Sequence, residues 1–237
     1  MLYREEGVVL RTYRLGEADR IVVLCTRGRG KVRAVAKGVR KTKSKFGSRL
    51  EPTSHVALQL YEGRELDIVT QVESLDHFRA IRDDLDRLAK ASTMLEVVDQ
   101  TMQEGSPNPR LFSMLVGALR ALADHDGALV LPAFFWKLLA LEGYGPILDE
   151  CADCGSSGPL VAFDLDVGGV LCADHRRGVA LSPEALELLR LILGGKLGAA
   201  LNEPASPATH EVEQLATRSV EHHLERRLRS ASVLDRG

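Results

Sequence analysis

Four residues in the second half of the chain have the types and spacing of a structural metal site. Cys151 and Cys154 form a Cys-x-x-Cys pair, and Cys172 and His175 form a Cys-x-x-His pair after a gap of seventeen residues. Two such pairs supply the four ligands that a tetrahedral Zn²⁺ prefers. Three buried thiols without a metal would leave the paired spacing unexplained. The spacing therefore predicts one zinc ion per chain.

This ligand set indicates a structural rather than a catalytic metal. Three thiolates and one imidazole complete a tetrahedral shell and leave no open position for a substrate water. A nucleobase deaminase would need a His-x-Glu sequence ahead of Pro-Cys-x-x-Cys, and here Glu150 precedes Cys151. The chain also has no Gly-x-Ser-x-Gly, His-Glu-x-x-His or Walker A sequence. We therefore expect no catalytic residues, and a zinc hydrolase is disfavoured.

The second chemical feature is a dense cluster of positive charge near the N-terminus. Ten Lys or Arg residues and no acid lie between Arg27 and Arg49, and six of them lie in the segment Lys37–Arg49. Such self-repulsion is offset by solvent or by a polyanion, and a phosphate backbone is the natural polyanion. A solvated loop is the alternative, but further basic residues on the neighbouring strands favour nucleic-acid binding. The predicted contacts are Arg14, Arg20, Arg33, Lys37, Arg40, Lys41, Lys43, Lys45 and Arg49.

The aromatic content of this region indicates which kind of binding to expect. Only Tyr3, Tyr13, Phe46 and Tyr61 are available as platforms for base stacking, and at least two of them are expected in the core. Affinity should therefore come mainly from phosphates, with weak sequence selectivity, on single-stranded and double-stranded DNA alike.

The net charge of the whole chain does not reveal this cluster, because positive and negative charges lie in different segments. The chain of 237 residues has a formal net charge of -2, which argues against a nucleic-acid binder. Residues 1–50 hold fourteen Lys and Arg against four acids, a charge of +10, so the remainder carries -12. The hydrophobic fraction of 45% and the charged fraction of 27% are ordinary for a soluble globular protein and argue against disorder.

The N-terminus and the hydropathy pattern bear on the compartment. No stretch approaches the roughly 18 apolar residues of a membrane span, and the first residues lack the order of a signal peptide. We expect a cytoplasmic protein, in which free cysteines are thiols or metal ligands rather than disulfides. Cys25, alone in a predicted strand, is expected in the core.

The elements that must position the basic cluster are strands. Three pairs of them are separated by turn residues, and the third and fourth are joined by the long basic connection. Five strands in about seventy residues fit a small closed barrel, most commonly an OB-fold, with an SH3-like barrel as the alternative. The predicted strands are Gly7–Thr12, Arg20–Thr26, Lys31–Ala36, Ser54–Tyr61 and Leu66–Glu73.

The elements that must position the metal ligands are helices. After Ser74 the apolar period changes to three and four residues, which predicts one amphipathic helix from Leu75 to about Gln103. Further helices are predicted from Asn108 to about Leu122, from Leu131 to Glu142, from Ser182 to Gly194 and from Pro207 to Leu228. A β-hairpin over residues 163–170 should join the two metal-binding pairs.

Together these patterns predict an α+β protein of two domains. An OB-fold DNA-binding domain should span residues 1–76. A mainly α-helical domain should span residues 77–237 and carry an inserted zinc-ribbon-like module at about residues 146–181, whose folding is coupled to the metal.

Two segments of the chain resemble the RecO family of bacterial DNA repair and recombination-mediator proteins. The first, from Val35 through Lys43–Gly47 to Pro52, is similar to the family's "KGaR…KSrFGg.LEP" run. The second, from Trp136 through Gly143–Leu148 to Gly155, is similar to its "LL..lGy.P.L..C..CG" run. The order of barrel, helices and inserted knuckles extends the resemblance over nearly the whole chain.

The resemblance implies a non-enzymatic protein of recombinational DNA repair. Such a protein binds single- and double-stranded DNA, anneals complementary strands, and helps RecR to load RecA onto DNA coated by single-strand-binding protein. It implies DNA contacts from basic residues of the OB domain, and a location at the nucleoid. It also implies that the helical domain holds the acidic C-terminal tail of single-strand-binding protein in an apolar groove edged by Arg or Lys.

One metal ligand departs from the family pattern. The basic barrel and the paired metal ligands also fit one alternative function. Many zinc-binding members end the second knuckle with cysteine, whereas this chain has His175, which is an acceptable ligand. An RNA-binding OB and zinc-ribbon protein of transcription or translation is the alternative function.

Overall fold

The computed structural model describes residues 1–125 and 127–230, which form two compact units. Unit 1 contains Met1–Asp124 together with the described residues from Leu228 onward, and unit 2 contains His125–Arg227. The predicted domain boundary at residue 76 coincides with the end of the last barrel strand. Unit 1 continues beyond that point through three helices, which pack on the barrel.

A closed five-stranded barrel forms the core of unit 1, as the sequence predicts. The strands are β1 (Leu2–Leu15), β2 (Asp19–Thr26), β3 (Gly30–Ala36), β4 (His55–Tyr61) and β5 (Asp67–Asp76). Their order around the barrel is β1-β2-β3-β5-β4, in which β3 and β5 pair in parallel and all other neighbours are antiparallel. This arrangement is OB-like.

Alternation along the strands separates two sides of the barrel wall. Val22, Leu24 and Val32 belong to the core cluster inside the barrel. Val23 and Cys25 alternate with them and are also fully buried, so the outer side of β2 is covered as well. Burial raises the pKa of the Cys25 thiol to about 12, which fits the predicted core role of this residue.

Three helices follow the barrel in unit 1: α1 (Arg79–Arg82), α2 (Leu85–Thr101) and α3 (Pro109–Asp124). Of these, α2 packs on β1, and α3 packs on both β1 and β2, so these two helices cover the outer side. Asp99 of α2 is buried and binds two strand cations: Arg11 Nε lies 2.8 Å and Lys31 Nζ 3.3 Å from its carboxylate oxygens. The loop between α2 and α3 comes close to the barrel at Gly30, where φ is +72° and an added Cβ would lie 2.3 Å from the carbonyl oxygen of Ser106. Part of the basic strand charge is therefore neutralised within unit 1.

The single helix predicted from Leu75 to Gln103 is wrong. Strand β5 continues to Asp76, Phe78 adopts a left-handed conformation with φ of +43°, and only the short α1 follows. Asp84 then starts α2 in an extended conformation, with its side chain accepting a hydrogen bond from the amide of Arg87. This cap starts a new helix although the apolar periodicity continues across residues 75–103.

The described residues that follow unit 2, from Leu228 onward, return to unit 1 and pack there. The carboxylate of Glu96 on α2 accepts hydrogen bonds from the backbone amides of Arg229, at 3.1 Å, and Ser230, at 2.9 Å. Leu228 is buried beside this contact. Burial by itself would raise the pKa of Glu96, but the hydrogen bonds from Ser230 and Arg229 together lower it below its ordinary value.

Unit 2 combines four helices with a small three-stranded sheet. The elements are α4 (Val130–Leu141), β6 (Leu160–Asp164), β7 (Gly169–Cys172), β8 (Val179–Ala180), α5 (Pro183–Leu193), α6 (Leu197–Leu201) and α7 (Pro207–His223). The strand order in the sheet is β7-β6-β8. The last helix ends at His223, five residues earlier than predicted, and the short α6 was not predicted. None of the helices within residues 1–125 and 127–230 combines the length and apolar character needed to cross a bilayer.

Candidate metal centre and nucleic-acid interface

The structure brings the four predicted metal ligands together in unit 2. Cys151 and Cys154 lie in a tight turn after α4, in which the amide of Gly155 donates to the carbonyl of Cys151. Cys172 ends β7, and His175 ends the short 3₁₀ turn that follows. The predicted hairpin, β6 paired with β7, joins the two pairs and confirms that expectation.

The distances within this cluster fit one tetrahedral ion. The four ligand atoms all lie within 4.8 Å of one another. Cys154 Sγ is 3.9 Å from Cys172 Sγ, and His175 Nδ1 is 3.3 Å from Cys172 Sγ and 4.0 Å from Cys151 Sγ. Zinc bonds of about 2.3 Å to sulfur and 2.0 to 2.1 Å to nitrogen would place the ligand atoms roughly 3.6 to 3.8 Å apart in a tetrahedron. The cluster can therefore bind a metal ion with little rearrangement.

The pKa shifts of the three thiols are also consistent with a bound cation. A backbone hydrogen bond from Cys172 is the main cause that lowers the pKa of Cys151. Burial raises the pKa of Cys172, but the backbone amides of His175 and Asp174 more than offset it. The pKa of Cys154 is raised: the amide of Ser156 lowers it, but burial and the two neighbouring sulfurs act more strongly in the other direction. A bound cation would relieve this repulsion among thiolates.

An arginine connects the two halves of the metal cluster. Both terminal nitrogens of Arg177 bind the carboxylate of Asp153, which lies between the first two cysteines. Arg177 Nε also lies 3.2 Å from Asp164 at the end of β6. The hydrogen bond from Arg177 is the main cause that lowers the pKa of Asp153. This ion network fixes the first knuckle relative to the second without using a metal ligand.

We expect Arg177→Ala to weaken metal binding by roughly tenfold, because partners that orient metal ligands typically contribute 10- to 100-fold to affinity. Competition with a chromophoric chelator measures this affinity. Arg176→Ala is the matched control, since Arg176 is the adjacent residue and is exposed. Equal metal affinity in the two variants would contradict an orienting role for Arg177.

The basic segment Lys37–Arg49 is anchored to one end of the barrel. Val39, Phe46 and Leu50 insert into the barrel core, and Phe46 is only 1% exposed. The Arg40 amide donates to the carbonyl of Ala18 in the β1–β2 turn. With apolar side chains holding the backbone, every cation of the segment is exposed. These are Lys37, Arg40, Lys41, Lys43, Lys45 and Arg49.

Two further predicted contacts lie beside this basic segment. Arg14 and Arg20 are directly opposite each other on β1 and β2, and Arg20 is opposite Ala36, the residue before Lys37. Like charges directly opposite on neighbouring strands are destabilising. Glu51 relieves part of this repulsion through a contact of 2.6 Å with Arg20. The remaining positive charge is continuous with that of the segment.

Arg33 occupies a different side of the barrel from these residues. It lies on β3 between Val32 and Ala34, both of which face the core, so it projects outward toward the helices. Its guanidinium is 3.8 Å from Glu104, and it is exposed. Sequence reasoning could not find this pairing, because the partner lies seventy-one residues away in the loop after α2.

The aromatic residues of the barrel fall into two pairs. Phe46 is buried and Tyr3 packs partly against the core, with its hydroxyl bound to Asp67 and Arg29 over its ring. Tyr13 and Tyr61 are about half exposed. Two of the four aromatics therefore contribute to the core, as expected.

Unit 2 contains a cavity, lined by both apolar and polar side chains, that the sequence does not predict. Its volume is about 490 Å³, and it is lined by residues of α4, α7 and the β6–β7 hairpin. The buried Trp136 Nε1 and Ser219 Oγ line it without a hydrogen-bond partner. Its lining acids are Asp166 and Glu225, so its charge differs from that of the Arg- or Lys-edged groove expected for an acidic tail. The apolar character of α4 predicts a buried helix but gives no signal for a cavity.

His222 and His223 have separate roles at this cavity. His222 Nε2 is 3.6 Å from an oxygen of Asp166, and the ring of His223 lies 4.0 Å from that of Tyr144. Adjacent positions on a helix point in different directions, so these two histidines do not form a metal pair.

Family models match both parts of the chain. The model described as Recombination protein O N terminal covers residues 1–78, and the model described as Recombination protein O C terminal covers residues 82–232. The two matches meet a few residues after β5 ends.

Two relatives are similar over their full length. The chain is 45% identical over 248 residues to the DNA repair protein RecO of Streptomyces coelicolor, which covers 99% of each chain. It is 44% identical over 245 residues to the DNA repair protein RecO of Nocardioides sp. strain JS614, which covers 100% of each chain. With the barrel, the helices and the metal cluster in the expected order, the chain belongs to the RecO family of DNA repair proteins.

Proposed function

We propose that this protein is a non-enzymatic recombination mediator that binds single- and double-stranded DNA and anneals complementary strands. The observation that carries this proposal is the exposed basic segment Lys37–Arg49, anchored by three buried apolar residues beside Arg14 and Arg20. The relatives in this family are DNA repair proteins, which supports DNA as the ligand of this surface. The domain that binds DNA is residues 1–76, and the helical remainder binds proteins.

Annealing follows from the charge and the lack of base-reading groups on this surface. Two complementary strands repel each other through their phosphates, and a dense row of exposed ammonium and guanidinium groups lowers that repulsion. Since phosphate contacts carry no sequence information, complementarity alone selects the partner strand. Arg33 takes part at the margin of this surface, where Glu104 partly neutralises it.

The metal centre has a structural role in the proposal. The ligand set and the ligand-to-ligand distances support Zn²⁺, one per chain, bound by Cys151, Cys154, Cys172 and His175. Bound zinc would hold the two knuckles together and supply no reaction. Arg177 and the β6–β7 hairpin orient the ligands, and the resulting module extends over about residues 146–181.

The proposed partners are those of the family. With RecR, the protein would load RecA onto DNA coated by single-strand-binding protein, at the nucleoid in the cytoplasm. The helical domain would hold the acidic tail of single-strand-binding protein. The exposed cations proposed as candidates to bind the tail carboxylates are Arg110, Arg120, Arg218 and Arg226.

The deciding experiment mixes two complementary DNA oligonucleotides, each coated with single-strand-binding protein. We expect this protein to accelerate their annealing and to do so further with RecR. The same assay with uncoated RNA oligonucleotides tests the alternative. Binding and annealing of RNA together with indifference to DNA would replace the proposal with an RNA-binding role in transcription or translation.

A further inference from the structure

A groove of unit 1 lies on the outer side of β1, β4 and β5. Its volume is about 1010 Å³, and its lining includes residues of all three strands and of the basic segment, through Lys45 and Phe46. Lys45 Nζ donates to the carbonyl of Thr70 on β5 at 3.0 Å, which places this cation at the edge of the groove. The groove is therefore continuous with the proposed phosphate-binding surface.

The other outer side of the barrel is covered. Oligonucleotide-binding barrels commonly use the side formed by strands 2 and 3. Here α2 and its following loop pack on that side, with Lys31 bound to Asp99 and Arg33 near Glu104. The amide of Lys31 also donates to the carbonyl of Gln103. A strand of nucleic acid that leaves the basic segment consequently has the β1-β4-β5 side available rather than the usual one.

The register of the three strands places base-binding groups in a row across this groove. Arg4 of β1 is directly opposite Gln59 of β4, which is directly opposite Gln71 of β5. Residues opposite each other in register project to the same face, so the guanidinium and the two amides form one line. Arg4 and Gln71 are exposed and Gln59 is half-buried. Amide side chains both donate and accept, which suits the edges of unpaired bases.

The carboxylates that line the groove are mostly engaged. Glu5 accepts a hydrogen bond from the amide of Gly28 at 3.1 Å. Glu6 lies 3.2 Å from Arg27 and 2.8 Å from His55. With Glu73 the groove has three acids against Arg4, Arg27 and Lys45, and so has no net charge. A neutral groove of this kind suits bases more than a run of phosphates.

We propose that this groove binds the unpaired bases of a single DNA strand, while the basic segment binds phosphates. The inference rests on the proposed function and names a site within it. Lys45 is shared by the two surfaces, so a strand held by its bases and a second strand held by its phosphates would meet there. Annealing would then take place at the edge of β5.

The test compares the double variant Gln59→Ala/Gln71→Ala with the wild type. Two probes are used: a thymidine oligonucleotide of about 16 residues and the same backbone with abasic sites. We expect affinity for the thymidine oligonucleotide to fall about tenfold, because the variant loses two amides that would each hydrogen-bond to a base. Affinity for the abasic probe and the salt dependence of binding should stay at the wild-type values, and annealing should slow.

The control is Gln103→Ala/Gln214→Ala, which removes two exposed amides outside the groove. Gln71→Ala alone, an exposed substitution, keeps the test valid if the double variant folds poorly. A wild type that neither binds nor anneals DNA would overturn the proposed function and this inference together. Wild-type annealing that the groove variants leave unchanged, or an equal loss on the abasic probe, would overturn this inference alone.

Discussion

Reversal of Lys41, Lys43 and Lys45 to Glu is expected to lower the affinity for single-stranded DNA by at least about 100-fold at 0.1 M salt, because three phosphate contacts are lost. Strand annealing should be lost with it. The logarithm of the binding constant of the wild type should fall with the logarithm of salt at a slope of roughly -4, from six phosphates at about -0.7 each, and that of the variant at roughly -2. Fluorescence anisotropy over a salt series measures both quantities.

The control for this prediction changes the net charge by the same amount elsewhere. Arg64, Arg79 and Lys196 are exposed cations outside the basic segment, and their reversal to Glu should leave the slope at the wild-type value. The triple variant should keep its fold, since Val39, Phe46 and Leu50 still anchor the segment in the barrel core when Lys45 loses its hydrogen bond to the carbonyl of Thr70. A slope near zero for the wild type would contradict the electrostatic account.

Cys151→Ser is expected to abolish metal binding and to unfold the zinc module. The wild type should contain one zinc per chain by elemental analysis, and this variant none. Cys151 is 1% exposed and packs with Leu171 and Cys172, so the loss of the metal would expose an apolar cluster. Because structural zinc contributes folding free energy directly, the thermal midpoint should fall and the module should become sensitive to protease.

Two matched substitutions make this prediction specific. Cys25→Ala removes the cysteine that lies in the barrel, so it should retain a full equivalent of zinc. His175→Cys should also retain zinc, since it restores the ligand found in many members of the family, whereas His175→Ala should weaken binding. A full equivalent of zinc in Cys151→Ser would refute the ligand assignment.

Local patterns were sufficient to predict the barrel and the metal cluster. Strand alternation and turn residues predicted all five strands, and the paired spacing predicted four ligands that the fold brings within 4.8 Å of one another. The prediction of a single helix over residues 75–103 was wrong because apolar spacing alone does not detect the extended end of β5 or the cap at Asp84. An Asp ahead of an apolar run is a local signal for such a cap, and Asp84 carries it.

Features that depend on long-range register were beyond sequence reasoning. The row of Arg4, Gln59 and Gln71 exists only because β1, β4 and β5 pair in one alignment, and a shift by one residue would turn each side chain to the other face. Likewise Asp99 approaches Arg11 and Lys31 only after α2 packs on the barrel. A count of charges along the chain therefore overestimates the cationic surface of the barrel.

The hydrogen bonds from Arg229 and Ser230 to Glu96 affect the order in which the protein matures on the ribosome. Chains are made at roughly 5–20 residues per second, so these two residues emerge of order ten seconds after α3. During that interval the barrel and its three helices are present, but Glu96 lacks both backbone donors. Unit 1 is thus begun before unit 2 is made and completed only after it.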